Sequence, residues 1–307
     1  MALARTTDRW GQVDPAPNGV RARTFRFLSR HRATRLTLWL SAPMAWLGLL
    51  YLGSLATMLV ASFWSLNDFT SAIQRTFTLA NYQELFTTGV YTRIALRTIG
   101  IAVAVTLIDL ALALPVAFFM AKVVRSSAVR AALVVAVSMP LWANYLVKGY
   151  AWRIISDNNG VLDWMLKPVG LSGPGLGIAA TTAALAYLWL PYMILPVYAG
   201  LERLPASLLD ASADLGAGAW RTFQRVVIPL LFPAIVAGSI FTFSLTLGDY
   251  IMVKIVGGAT QMFANVVYDN IGVAGNLPFA AAAAVFPIIL VIGYLTAVRK
   301  TGALENL

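Results

Sequence analysis

Apolar residues in this chain gather into long stretches without charge. No Asp, Glu, Lys or Arg occurs across 36–67, a run of 32 residues. The stretch between Arg97 and Lys122 is interrupted only by Asp109. Further uncharged runs cover 131–147 (17 residues), 168–201 (34 residues) and 226–248 (23 residues), and a last one covers 271–298. Crossing a bilayer takes about 20 apolar residues, and lipid gives the backbone no hydrogen-bond partner, so such runs must close their bonds internally as helices. The pattern predicts six of them, over about 37–64, 94–121, 131–150, 178–199, 230–253 and 279–298. A membrane barrel would instead alternate apolar and polar positions in ten-residue segments. The expected class is an all-α integral membrane protein whose transmembrane domain spans 37–298.

Composition supports this. Hydrophobic residues make up 59% of the 307 positions and charged residues 12%, against about 25% charged in a soluble domain. That balance excludes a disordered chain, a collagen-like chain and almost any water-soluble enzyme. The chain has 23 Lys+Arg, 13 Asp+Glu and a net charge of +10, which on its face suggests nucleic acid as a partner. Topology gives the charge another meaning. With the N-terminus inside, segments 1–36, 122–130, 200–229 and 299–307 carry 16 of the basic residues and 6 of the acidic ones, so the inner side accounts for the whole net charge. Basic residues collect on the cytoplasmic side of membrane proteins. Both termini are therefore expected in the cytoplasm, with lipid and not nucleic acid as the basic residues' neighbour.

Segment 1–36, with eight Arg, His31, Pro15 and Pro17, reads as a largely disordered cytoplasmic lead-in, and 299–307 as a short cytoplasmic tail. The lead-in is too long and the following apolar run too extended for a signal peptide, whose apolar region covers about 7–15 residues.

Enzyme chemistry finds little to work with. The only His lies in the lead-in and the chain has no Cys. It also lacks a GxxxxGK[ST] phosphate loop, an HExxH zinc motif and a GxSxG elbow. The Gly/Pro-rich stretch from Leu171 to Gly175 reads as a chain break ahead of the fourth helix. No catalytic residue, metal site or bound cofactor is expected. Two carboxylates do fall within predicted spans, Asp109 in the second helix and Asp249 late in the fifth. An acid in a span is costly unless it faces a cavity or a partner. Asp249 is flanked by Gly248 and Tyr250, which offer close backbone approach and an aromatic face. Lys148, at the end of the third helix, suits snorkelling to the interface. Trp142, Tyr145, Trp189, Tyr192, Phe241 and Phe243 fit an interfacial belt or helix packing, although aromatic faces also attract amines.

The loop between the fourth and fifth helices carries its own pattern. Pro205 suits the start of a helix. Leu208, Leu209, Ala211, Ser212 and Leu215 follow at helical spacing. Gly216 should end that helix, and Trp220, Phe223 and Val227 should begin a second short one. Such an elbow fits a groove on a soluble partner and equally fits an ordinary packed connector.

This loop resembles the EAA motif of ABC-importer permeases, in which Glu-Ala-Ala, three residues, Gly and nine residues precede Ile-x-Leu-Pro. Asp210-Ala211-Ser212 stands at the triplet, Gly216 at the Gly, and Val226-Val227-Ile228-Pro229 at the end. Asp for Glu and Ser for Ala depart from the motif. The stretch from Gly238 to Gly258, with Leu247-Gly248-Asp249-Tyr250, is most similar to the first permease subunit of spermidine/putrescine-type importers. The resemblance implies a six-helix type I permease of the bacterial inner membrane that forms half of a solute pathway. It implies a second homologous permease, two copies of an ATPase that uses ATP and Mg, and an extracytoplasmic solute-binding protein. The loop 201–229 would be the coupling elbow, with Asp210, Ala211, Ser212, Asp214, Leu215, Gly216 and Pro229 as coupling residues. For a polyamine, the pathway candidates are Asp249, Tyr250, Asp109 and Trp142. Ferric iron, thiamine and phosphonate remain alternative solutes on such a scaffold. A secondary transporter or channel using the two acids is the rival from another class, but the chain lacks the internal repeat such proteins often show.

Overall fold

The computed structural model describes residues 39–299 apart from 42 and 68. The lead-in 1–36 and the tail residues 300–307 lie outside the described residues. The chain divides into two units, residues 1–58 and 59–307. Helix α1 (Trp39–Ala61) starts in the first. It contains a π-helical turn at Leu47–Leu52, and its apolar side chains, Trp46 and Leu49 among them, are exposed.

A small antiparallel hairpin follows, with β1 (Ser65–Leu66) paired to β2 (Ile73–Gln74). Asn67 closes its turn by accepting from the N–H groups of Phe69 and Thr70 at 2.9 and 3.0 Å. Helix α2 (Ala80–Thr87) leads into α3 (Gly89–Val123). Then come α4 (Ser127–Trp142), α5 (Tyr145–Ser156) and α6 (Val161–Leu166). They are followed by α7 (Ile178–Arg203), α8 (Ala206–Asp214) and α9 (Ala219–Gly248). Helices α10 (Ile251–Val256), α11 (Phe263–Gly272) and α12 (Leu277–Arg299) complete the described residues.

Five of these helices, α1, α3, α7, α9 and α12, are long and apolar enough to cross a membrane, among the described residues. The expected third span differs. Instead of one helix over 131–150, α4 and the segment Tyr145–Val169 meet at a bend of 90°. The reason is local. Pro140 withholds an N–H from α4, and the Asn144 side chain accepts from the N–H groups of Leu146 and Val147 at 2.9 and 3.4 Å. That cap starts a new helix at Tyr145 in place of continuing the old one.

The fifth span also differs. The expected helix over 230–253 begins earlier, at Ala219, and stops at Gly248. What the sequence suggests as a second short helix of the elbow is the first turn of α9. Continuity survives Pro229 because the backbone widens ahead of it. The proline ring would strike the carbonyl four residues back. A π-helical turn at Phe223–Val227 relieves this, with the Ile228 N–H reaching the Phe223 carbonyl.

Within residues 59–307, α7 packs along both α3 and α9, and α3 also packs on α9. One buried layer joins Ile101 and Val105 of α3, Leu185 and Leu188 of α7, and Met252 and Val256 of α10. A second joins Ala113, Ala117 and Met120 to Met193, Val197, Leu201 and Leu231. Without water to drive association, membrane helices pack through close contact between small residues. A Cβ added at Gly238 would lie 2.7 Å from Met193 Sδ and 3.1 Å from Met193 Cα, and one at Gly200 would lie 2.8 Å from Ala234 Cβ. Helices α7 and α9 therefore approach closely at two levels, backbone to backbone at Gly238 and through the Ala234 and Leu231 side chains at Gly200.

Gly238→Leu should force α7 from α9 and cost about 1–3 kcal/mol, as overpacking does. The Tm of the purified protein in detergent reads this. A wild-type Tm in the variant would show that the contact yields freely.

Candidate solute cavity and coupling elbow

Helix α9 ends because Asp249 turns to an extended conformation, with ψ 105°. Asp249 then serves the next element: its Oδ1 accepts from the Met252 N–H at 3.0 Å, capping the first turn of α10. Its Oδ2 accepts from the Tyr145 hydroxyl at the start of α5. The sequence places Asp249 late in the fifth helix, whereas the structure places it in the break between two helices, 7% exposed.

A further bond braces this junction, and another holds the neighbouring α4–α5 bend. Arg153 of α5 donates to the Ile255 carbonyl at 3.0 Å, filling an open acceptor at the end of α10. Lys148 turns back to the Pro140 carbonyl at 2.9 Å, with its ammonium 5.9 Å from the centre of the Tyr145 ring. The structure thus gives Lys148 a defined acceptor at the α4–α5 bend, where the sequence suggests only snorkelling.

Beside the junction opens a cavity of about 290 Å³, lined by Tyr145, Trp189, Ser244, Gly248, Asp249 and Tyr250 among others. It offers one carboxylate and three aromatic side chains. The Ser244 hydroxyl and the Trp189 indole N–H are buried without a hydrogen-bond partner among the described residues. Aromatic contacts continue away from it, from Trp189 to Tyr192 at 6.0 Å and from Tyr192 to Phe241 at 5.9 Å. An ammonium group is stabilised by such a combination of acid and aromatic faces.

Of the four pathway candidates, Asp249 and Tyr250 come together here. Asp109 does not line this cavity. It lies fully buried in the middle of α3, and neither carboxylate oxygen has a hydrogen-bond partner among the described residues. Trp142 ends α4 with 91% of its surface exposed, also away from the cavity. The sequence leaves Tyr145 and Trp189 among aromatics that suit an interfacial belt, helix packing or the attraction of amines, without singling them out. For Tyr145, the available signal was its place directly after a capping Asn at a proline-weakened helix end.

The loop 201–229 forms its elbow from α8 and the start of α9. Pro205 stands directly before α8. Gly216 takes φ +75°, a left-handed conformation that favours glycine, and so lets the chain reverse. Asp210, Ala211, Asp214, Leu215 and Gly216 are exposed. Ser212 points inward and is 9% exposed, with its hydroxyl 2.8 Å from that of Thr222 across the elbow. Pro229 stands apart from the tip of the elbow. It lines a separate groove of about 620 Å³ between α7 and α9, together with Pro196, Gly200, Arg203 and Pro233. The α7 end of the elbow is tied down by Lys122, which donates to the Leu204 carbonyl at 2.7 Å, and by the Arg130–Glu202 pair at 3.3 Å.

Residues 113–299, which hold the cavity and the elbow, match the family model of the binding-protein-dependent transport system inner membrane component. The chain belongs to this family. It is 45% identical over 287 residues to the inner membrane ABC transporter permease protein YdcU of Escherichia coli K12, covering 89% of this chain and 91% of that one. It is 31% identical over 243 residues to the spermidine/putrescine transport system permease protein PotB of the same organism, covering 78% and 87%. In fold it is similar to a chain of a bacterial ABC transporter involved in the import of the acidic polysaccharide alginate. There the TM-score is 0.68 at 16% identity, covering 91% of this chain and 99% of that one. A chain of the MetNI methionine ABC transporter gives a TM-score of 0.54 at 18% identity, covering 70% and 95%. This inner membrane component is a multi-pass ABC importer permease with the type I fold, a non-catalytic subunit.

Tyr145→Phe removes a hydrogen bond to a buried carboxylate, worth about 1.5–3 kcal/mol. The Tm in detergent should drop, and amide exchange across α10 should quicken. Unchanged exchange there would mean that Asp249 holds α10 without Tyr145.

Proposed function

We propose that this permease forms half of the translocation pathway of an ATP-driven importer for a polyamine such as spermidine or putrescine. The observation that carries the solute class is the cavity at the α9–α10 break, where Asp249 stands among Tyr145, Trp189 and Tyr250. A polyamine carries several ammonium groups, which an acid offsets and aromatic faces attract without holding them as tightly as paired charges would. The identity with spermidine/putrescine permeases supports the same reading.

The family pattern and the absence of a phosphate loop from the sequence support a division of labour. A second homologous permease completes the pathway, two ATPase copies hydrolyse ATP with Mg, and an extracytoplasmic binding protein delivers the solute. The elbow seats in the ATPase. Its exposed Leu215 and Trp220, beside Asp210 and Asp214, suit an amphipathic helix laid in a groove. The distribution of basic residues supports a cytoplasmic location for both termini and the elbow.

Vesicles holding the assembled transporter should take up labelled putrescine only with ATP. Uptake that persists without any ATPase would sink the reading. Gly216→Trp places a bulky side chain at the elbow tip and strains a left-handed position by about 1–2 kcal/mol. The variant should insert normally but lose solute-stimulated ATP hydrolysis, and normal stimulation would remove the elbow's coupling role. Asp249→Asn should lower putrescine uptake by about tenfold or more, with assembly largely retained. Unchanged uptake would leave Asp249 as a helix brace alone.

A further inference from the structure

Beyond the cavity, at the end of α9 opposite the elbow, a second combination of acid and aromatic faces is already filled by an ammonium group. Lys254 of α10 places its Nζ 2.6 Å from Asp269 Oδ1 and 4.1 Å from the centre of the Tyr268 ring. Tyr268 stacks on Tyr250, with ring centres 4.5 Å apart and planes at 21°. Tyr250 in turn lines the Asp249 cavity. The Asn265 side chain holds Tyr250 by donating to its carbonyl at 3.0 Å. The two acid–aromatic sites are therefore joined through one stacked pair. The Lys254 and Asp269 side chains are 40% and 34% exposed and Tyr268 is 42% exposed, so a solute can reach the outer site.

We propose that the Tyr268–Asp269 face is an ammonium-binding site at the mouth of the pathway, and that Lys254 is its tethered competitor, which an amine-bearing solute displaces on entry. The chemistry is an exchange of like for like. The solute's ammonium takes the carboxylate and the ring face, and the Lys254 ammonium moves into water on its flexible stem. An exposed ion pair is weak, so the exchange meets little resistance. The tether then favours amines over solutes that lack a cation by the modest worth of this pair, because such solutes cannot replace what Lys254 gives to Asp269 and Tyr268. A solute with two or more ammonium groups can engage Asp269 while another group advances toward Asp249. This inference rests on the polyamine reading and adds an entry site and a selectivity device to it.

The test exploits the fact that the two halves of this ion pair should act with opposite sign. Equilibrium binding of radiolabelled spermidine is measured on the assembled transporter in nanodiscs, free of binding protein, with assembly checked by size exclusion. Lys254→Met and Lys254→Gln remove the competitor and should tighten Kd about three- to tenfold, in keeping with an exposed ion pair plus a cation–π contact. Asp269→Asn removes the carboxylate and should weaken Kd by a similar factor. Lys254→Arg keeps a competing cation and should stay near wild type. A structural ion pair would respond to Lys254→Met and Asp269→Asn alike, so shifts in the same direction, or none, overturn the inference. If that result comes with intact ATP-dependent putrescine uptake, only the entry site fails. If wild type neither binds nor imports any polyamine, the polyamine reading fails with it.

Discussion

Hydrocarbon cannot solvate a backbone amide, and every break in a helix of this chain has to answer that constraint. The polar side chains near the breaks do so. Asn144 takes the free N–H groups at the start of α5, and Lys148 reaches the Pro140 carbonyl behind it. Asp249 caps α10 from the front, while Arg153 fills a carbonyl near its end. Charged residues that look like functional anomalies in an apolar sequence are thus also the groups that let the chain bend. The cavity beside Tyr250 exists because α9 stops at Gly248, and α9 can stop there because Asp249 and its partners satisfy what the break exposes.

The same constraint explains how much was legible from the sequence. Uncharged runs bracketed by Lys, Arg, Asp or Glu located the spans closely where the helix continues to the charge. Ile178–Arg203 and Leu277–Arg299 lie within a few residues of the expected 178–199 and 279–298. A turn inside an uncharged run leaves no such bracket, since a capping Asn carries no charge. Hence 131–150 read as one helix, although Pro140 and Asn144 divide it. Asp249 misled for the complementary reason. It read as an acid inside a helix because apolar residues resume after Tyr250, while its second carboxylate oxygen is held by Tyr145, which lies 104 positions away in the chain. Contacts of that range leave no local trace. Asp109 was legible as unusual, and the structure keeps it so, buried without a partner among the described residues.

The elbow shows how a departure from a motif can be compensated within the chain. Ser212 stands where the pattern has Ala, and a hydroxyl there would be a liability in a buried position. Thr222, ten residues on, supplies the partner at 2.8 Å. The departure becomes a clasp between the two arms of the elbow, near the left-handed turn at Gly216. Asp210, Ala211, Asp214 and Leu215 face outward from that clasp. Four of the seven residues implied by the motif therefore form an outer surface on α8 and its end, while Ser212, Gly216 and Pro229 shape the backbone that presents it.

Because α9 runs unbroken from Ala219 to Gly248, the clasp and the cavity at Asp249 are the two ends of one lever. Thirty helical residues make a rod of about 45 Å. A tilt of about 5° at the elbow therefore sweeps the far tip through about 4 Å, on the scale of one water molecule. The rod carries a soft section in the π-helical turn at Phe223–Val227, which sits close to the elbow. Bending there tilts the long distal segment as a unit and leaves the geometry of the Asp249 junction to be decided by its braces to α5.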